Sequence, residues 1–281
     1  MSVAPKPLQF LNLVDNQPIS PQAVRPVSPS DEPIVHQTPQ DSLFLKPTNP
    51  KSFCFPWQLT VKGKEVKILQ EFNEKRKNGM AIYEGNLVLS NYLQSLPESY
   101  WKGKKVLELG CGTGFGSVTA SLCGAESVTA SDRDPNVLNL AKKNLVRNLG
   151  DQGSFKTARV AWGTPQCTSE NTKMDVEINA CWEQEVRGSG YDLVIGADLT
   201  YTAELIPKII ETIKLFGSPK AEVVFCWCEP DLFNWNTDVM DQLNQGIKLF
   251  DKEFKVESIK SGPIVEGHPN TFLLHMRAKQ A

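Results

Sequence analysis

The sequence predicts an α/β protein: a Rossmann-like seven-strand sheet with helices on both faces, an N-terminal hairpin and a disordered proline-rich tail. Three observations predict it. From residue 104 onward, short apolar runs alternate with segments of helical period, the pattern of strand–helix crossovers in a parallel sheet. Tyr191–Ala197 is almost continuously apolar, as a strand buried on both faces has to be. The apolar run Val106–Leu109 passes into the glycine-dense turn Gly110-Cys111-Gly112-Thr113-Gly114, where a ligand can approach the backbone and the next helix presents its free amides.

The elements follow in order. Residues 1–50 hold ten of the nineteen prolines with many Ser, Gln and Asn, a composition too polar to offset chain entropy, so they read as a disordered tail. Leu8–Val14 is an apolar island within it. The domain spans residues 51–281. Phe53–Leu59 and Glu65–Leu69 read as strands joined at Lys62-Gly63-Lys64, a hairpin. Leu89, Tyr92, Leu93 and Leu96 recur at helical spacing until Pro97 closes the pattern, and Tyr83 stands just before this helix. Lys104–Leu109 is the first strand of the main sheet, and Phe115–Cys123 is the helix behind the glycine turn. Ser127–Ser131 is the second strand. Asp134-Pro135 then supplies an N-cap and a first-turn proline for a helix striped by Val137, Leu138, Ala141 and Leu145. Phe155–Ala161 is the third strand and runs into Trp162-Gly163. Residues 164–190 are polar without period and read as an inserted loop. Tyr191–Ala197, Glu222–Cys228, Phe254–Ile259 and Thr271–Met276 complete the seven strands, with helices over Ala203–Phe216 and Asp231–Phe250.

Composition narrows the function. The net charge is −2, so no basic field points to nucleic acid. No run reaches about 18 apolar residues, so no membrane-spanning helix is expected, and the N-terminus lacks the pattern of a secretory signal. Seven scattered cysteines suit reduced thiols in an intracellular protein. Cys226-Trp227-Cys228 lacks a second Cys or His pair at ligand spacing, so it reads as core and no metal is expected.

The glycine turn is specific in its form. The dinucleotide fingerprint needs glycine where Phe115 stands, and the Gly-Lys-Ser/Thr of a phosphate loop is absent. What fits is acidic-x-Gly-x-Gly-x-Gly, with Glu108 leading. This resembles the first motif of the seven-strand methyltransferases that use S-adenosylmethionine. Asp132 ends the second strand, and a carboxylate there can accept both hydroxyls of a ribose. Because Asp134 fills the cap position, Asp132 is left for that role. Trp162 offers an indole face beside an adenine, or serves as core. Asp198 and Tyr201 follow the fourth strand at i, i+3.

With that last pair, the chain resembles the seven-strand protein lysine methyltransferases marked by Asp-x-x-Tyr after the fourth strand, the methyltransferase-like 21 type. The resemblance rests on the hairpin and Gly79–Leu93 block, Val106–Gly116, Trp162-Gly163 and Tyr191–Tyr201. It implies S-adenosylmethionine contacts at Tyr83, Glu108, Gly110, Cys111, Gly112, Asp132, Trp162 and Ala197, with Asp198 and Tyr201 facing an acceptor amine. Two positions depart from the family pattern. Tyr83-Glu84 stands where many members have tryptophan followed by an acidic or small residue, and Gly85 stands where alanine is usual.

The expected activity is methylation of a lysine side chain on a protein, by analogy a translation factor or a chaperone. A cytoplasmic monomer is expected, with the nucleus as a second compartment and no membrane or nucleic-acid partner. A histidine or small-molecule methyltransferase on the same fold is the alternative enzyme. A non-catalytic binding protein that keeps the cofactor fold is the alternative of another class. No Asn/Asp-Pro-Pro-Tyr/Phe sequence of the nucleic-acid enzymes follows the fourth strand.

Overall fold

The computed structural model describes residues 11–12, 53–72, 79–151, 153–163, 190–199, 204–228, 239–263 and 270–279. Tyr201, residues 164–189 of the expected 164–190 loop, the stretch 231–238 and the tail apart from Leu11 and Asn12 lie outside these residues. Leu11–Asn12 (β1) is a two-residue strand. The hairpin is β2 (Phe53–Val61) and β3 (Lys64–Phe72). Then come α1 (Glu84–Ser95), α2 (Glu98–Trp101), β4 (Lys105–Glu108), α3 (Phe115–Leu122) and β5 (Ser127–Asp132). They are followed by α4 (Pro135–Leu149), β6 (Phe155–Arg159), β7 (Tyr191–Ala197), α5 (Leu205–Phe216) and β8 (Gly217–Cys228). The last elements are α6 (Val239–Glu253), β9 (Phe254–Pro263) and β10 (Asn270–Ala278).

The main sheet runs β1-β9-β10-β8-β7-β4-β5-β6. Its seven long strands are the seven expected. Two residues of the Leu8–Val14 island add a short parallel edge beside Lys260 and Ser261 of β9. One expectation of the parallel sheet fails. β10 lies antiparallel between β8 and β9, and only six residues separate the end of β9 from the start of β10. A parallel crossover needs about a dozen residues or more, so a connection this short pairs the two strands as antiparallel neighbours.

The pleat sorts the strand residues to two faces. Leu107, Val194, Val223, Phe225 and Leu274 pack with α5 and α6 through Ile206, Ile209, Ile213, Phe216 and Phe250. Val106, Leu193, Ile195, Val224 and Leu273 pack with α1 through Val88, Leu89 and Leu93. The hairpin lies outside this second layer, where Leu59, Val61, Val66 and Ile68 cover Phe115 and Val118 of α3 and Leu138, Ala141 and Leu145 of α4. Its turn is Lys62-Gly63, both with positive φ (48° and 75°), as a two-residue turn of the primed type requires.

Chain order places the site. β4 is flanked by β5 on one side and β7 on the other, so the direction of winding reverses there. In open α/β sheets the ligand crevice opens at the carboxyl ends of the strands at this switch point. β4, β5 and β7 end at Glu108, Asp132 and Ala197 along this edge.

Candidate active site

The glycine turn leaves β4 with its backbone locked to both neighbouring strands. Leu109 N–H donates to the carbonyl of Ile195 on β7 (3.0 Å), and Cys111 N–H donates to that of Ser131 on β5 (2.8 Å). Between these anchors Gly110 has φ 56°, and Gly112 follows with φ 54°, a left-handed region in which a side chain is strained. Space forbids one as well. A Cβ on Gly110 would stand 2.6 Å from Leu199 Cδ2 and 3.0 Å from Trp162 Cζ2, and one on Gly112 would stand 3.0 Å from the carbonyl oxygen of Gly79.

Glu108 braces this turn. It is 1% exposed, and its Oε2 accepts from the Ser117 backbone N–H at 2.8 Å and from the Ser117 hydroxyl. The carboxylate thus holds the first turn of α3, where orphan amides and the positive helix end favour an anion. Burial nevertheless pushes its pKa up to about 7, against the Ser117 and Gly116 donors. Cys111 is 2% exposed, and burial, with the charges of Asp132 and Glu108, raises its thiol well above the ordinary value. It is a packed side chain, far from thiolate reactivity.

Asp132 is partly open to solvent at the end of β5. Its Oδ1 accepts from Asp134 N–H at 3.0 Å and its Oδ2 from Gly112 N–H at 3.4 Å, so the carboxylate spans the glycine turn and the start of α4. Burial raises its pKa, and the amides of Asp134, Gly112 and Arg133 pull it down. Asp134 is the helix cap, accepting from Asn136 N–H at 2.8 Å, as its place before Pro135 predicts. Trp162 lies beside Gly110 with its ring partly buried against the α5–α6 layer. Its turn is fixed by Thr212 of α5. That buried hydroxyl accepts from Gly163 N–H at 2.9 Å and donates to the Lys208 carbonyl at 2.8 Å.

On the other side of the crevice, β7 ends at Ala197, which is buried, and the chain turns sharply. Asp198 has φ 54°, unusual for a residue with a side chain, and its N–H donates to the Cys226 carbonyl of β8 at 2.8 Å. The carboxyl group lies against the first turn of α1: a Cβ on Gly85 would be 2.3 Å from Oδ2 and 2.5 Å from Oδ1. Tyr83, the N-cap of α1, is 42% exposed, the one large apolar side chain so open among the described residues. Burial of its ring raises the phenol pKa, the Gly79 amide lowers it, and the charge of Asp198 raises it again. Tyr83 thus follows the segment in which Gly79 covers the glycine turn and precedes Gly85, which lies against the Asp198 carboxylate.

Four residues that the sequence reading did not single out hold this arrangement. Leu199 is 5% exposed and wedges between two glycines: its Cδ2 fills the space above Gly110, and its Cδ1 lies 2.4 Å from where a Cβ on Gly196 would stand. Gln70 on β3 accepts the Ile82 N–H at 2.8 Å, and Glu71 N–H donates to Met80, so the strand carries the 79–83 segment over the glycine turn. Asn144 on α4 is fully buried. Its amide accepts from Leu69 N–H (2.7 Å) and donates to the carbonyls of Leu69 (3.0 Å) and Thr113 (2.8 Å). A side-chain amide that satisfies both groups of one edge residue acts as a strand neighbour.

Gly110, Gly112, Asp132 and Trp162 thus lie together at the carboxyl ends of β4 to β6, with Asp198 and the start of α1 beside them, whereas Glu108, Cys111 and Ala197 are buried in the packed core. Among the described residues, no group of three or more His, Cys, Asp or Glu side chains could hold a metal ion.

Residues 60–231 match the family model described as lysine methyltransferase. The chain is 27% identical to the EEF1A lysine methyltransferase 3 of Xenopus tropicalis, over 57% of this chain and 62% of that protein. It is 28% identical to the protein N-lysine methyltransferase METTL21A of Danio rerio, over 57% and 65%. It spans less than two thirds of the length of these curated relatives. Among solved structures, a putative SAM-dependent methyltransferase from Streptococcus mutans superposes with a TM-score of 0.52 at 15% identity, over 82% of this chain and 56% of that one. A SAM-dependent methyltransferase from Agrobacterium tumefaciens gives 0.51 at 18%, over 80% and 70%. The matched model covers most of the domain, from the hairpin through the glycine turn to the end of β8, and the chain belongs to the lysine methyltransferase family.

Proposed function

We propose that this protein transfers a methyl group from S-adenosylmethionine to the ε-amine of a lysine on another protein. One observation carries the reading. In a member of the lysine methyltransferase family, a left-handed glycine turn with a strand-end carboxylate on one side of the crevice faces the Asp198 carboxylate on the other.

The residues present suit that cofactor. The left-handed turn at Gly110 and Gly112 lets Leu199, Trp162 and Gly79 close against the strand end, Asp132 offers carboxylate oxygens to a ribose diol, and Trp162 and Tyr83 offer aromatic faces. When bound, S-adenosylmethionine supplies a methyl carbon whose bond to sulfur breaks as the amine nitrogen bonds to it.

The protein's own part is to bring the amine in neutral and aligned. A free lysine has a pKa of about 10.4, so only about one in 10³ is neutral at pH 7. A desolvated crevice lowers that value. Asp198 accepts an N–H of the amine and so orients its lone pair, while Tyr201 and nearby aromatics present a π face to the cation before the proton leaves. Proximity and alignment supply most of the rate, because no strong base is needed once the amine is neutral. Tyr201, at i+3 from Asp198, is assigned to the acceptor channel from the Asp-x-x-Tyr motif.

We place the protein in the cytoplasm as a monomer. Cys111, Cys123 and Cys226, buried and unbridged, support a reducing compartment, which the nucleus also provides. The relatives' names include an EEF1A enzyme, and a protein substrate of this kind is the reading for this chain.

The Asp198→Ala variant tests the assignment. It is expected to abolish transfer of labelled methyl groups to lysate proteins while calorimetry still shows S-adenosylmethionine binding. Undiminished labelling by the variant would remove Asp198 from the reaction. Mass spectrometry of the labelled residue separates lysine from histidine.

A further inference from the structure

Gly85 is an anomaly in α1. It is the second residue of a twelve-residue helix, where a glycine is a poorer choice than almost any other residue. It has no positive φ to justify it. Its neighbours explain it. The three atoms nearest to where its Cβ would stand are Oδ2, Oδ1 and Cγ of Asp198, at 2.3, 2.5 and 2.6 Å. Asp198 is short, its backbone is in the left-handed region, and its N–H is tied to Cys226 of β8. A carboxylate displaced from Gly85 has to turn about its side-chain torsions and leave the first turn of α1.

We propose that Gly85 is a positioning residue for Asp198: by presenting bare backbone, the first turn of α1 seats the carboxylate that faces the acceptor amine. The inference rests on the reading of Asp198 as the acceptor-side residue and adds what fixes its place. The same contact has an electrostatic side. The first turn of a helix carries free N–H groups and the positive end of the helix dipole, so a carboxylate seated there is favoured as an anion. An anionic Asp198 accepts hydrogen bonds from an amine and donates none, which suits orienting an N–H without competing for the lone pair. The seat is braced from behind, where Ser90 of α1 and Thr119 of α3 share a buried hydroxyl hydrogen bond of 2.9 Å. α1 is thereby joined to the helix that follows the glycine turn. The donor side and the acceptor side of the crevice share one frame.

The test combines two substitutions. In the native background, Gly85→Ala drives a methyl group into the carboxylate. Its midpoint of thermal unfolding should fall despite the better helix propensity of alanine. In the Asp198→Ala background the obstacle is gone, and the same substitution should raise the midpoint by about 2–4 °C, the size expected of a helix-propensity gain in a domain this large. A reversal of sign between the two backgrounds is the signature of positioning through Asp198. Equal effects in both backgrounds would overturn the proposal.

Kinetics give the second readout. Gly85→Ala should raise KM for the protein acceptor or lower kcat by at least tenfold while calorimetric affinity for S-adenosylmethionine stays within about twofold. An equal loss of cofactor affinity would mean that Gly85 serves the fold at large, and would also overturn it. The two readings fail separately. Were Asp198→Ala to retain full methylation, the assigned role of Asp198 would fall, while the sign of the stability effect would still decide whether Gly85 seats the carboxylate.

Discussion

Glu108 holds opposing demands in one carboxyl group. Its oxygens are needed as acceptors by the first turn of α3, yet the site is almost dry, and burial lifts the pKa from 4.5 to about 7. An acid bound more tightly by protons in the folded state lowers stability as pH rises. The loss begins near the unfolded value of 4.5 and is complete above about 7. The protein should therefore gain stability from this group between pH 8 and pH 5, and Glu108→Gln should flatten that part of the profile. Thermal midpoints of both proteins across that range check the sign. A variant profile parallel to the native one would mean that the carboxyl group does not titrate there. At the same scale, sequence and structure part company over what a residue is for. Asp132 and Asp134 were separable by position alone, because a helix cap before proline is a local signal. Leu199 and Gly85 were not. Each has its meaning only through a neighbour distant in the chain: Gly110 for the one, Asp198 for the other. Glu108, read as part of the cofactor motif, turned out to face the helix amides, a direction that spacing cannot report.

Among the elements, the hairpin and α4 show how a peripheral unit reaches the site. Asn144 and Asn148 lie one helical turn apart and replace a third strand along β3. Asn148 accepts from Lys67 N–H at 2.9 Å and donates to its carbonyl at 3.0 Å, repeating the pattern of Asn144 with Leu69. Only Asn144 also reaches the glycine turn, through Thr113. Asn144→Ala leaves three buried backbone groups without that partner and is expected to cost roughly 2–4 kcal/mol. Denaturant titration gives the magnitude. Hydrogen exchange should show faster exchange at Leu69 and weaker cofactor binding should accompany it. Asn148→Ala, nearer solvent, should cost about 1 kcal/mol and spare the site. Strand and helix positions were legible because hydrophobic period is local. The order of strands was not. The place of β10 depends on the length of its connection and on what β8 leaves open, and no residue of Thr271–Met276 announces an antiparallel neighbour on each side.

Across the whole molecule, the sheet is fastened at the edge opposite the crevice by Glu222. This carboxylate is 7% exposed and receives Lys104 Nζ at 3.0 Å, His275 Nε2 at 2.9 Å and Arg277 Nη2 at 3.3 Å, linking the start of β4 to β8 and β10. His275 extends the chain to the Tyr92 hydroxyl of α1 at 3.1 Å. The His275 hydrogen bond, followed by those of Lys104 and Arg277 against the cost of burial, holds the Glu222 pKa at about 2. Here the sign is the reverse of Glu108. The stabilisation is fully present above the unfolded value of 4.5 and is lost as pH falls towards 2. With Arg277 half exposed and screened, the net contribution is about 1–2 kcal/mol. Glu222→Gln should lose stability of that order at pH 7 and show a shallower acid transition, which denaturant unfolding at pH 7 and pH 3 measures.

The placement of β10 bears on how the chain is made. Among the described strands it is the last to leave the ribosome, yet β9 has no place beside β8 until β10 lies between them. At synthesis rates of about 5–20 residues per second, β4 to β8 wait several seconds with the open side of β8 unpaired. During that interval the nascent chain offers a bare strand edge to any extended segment nearby.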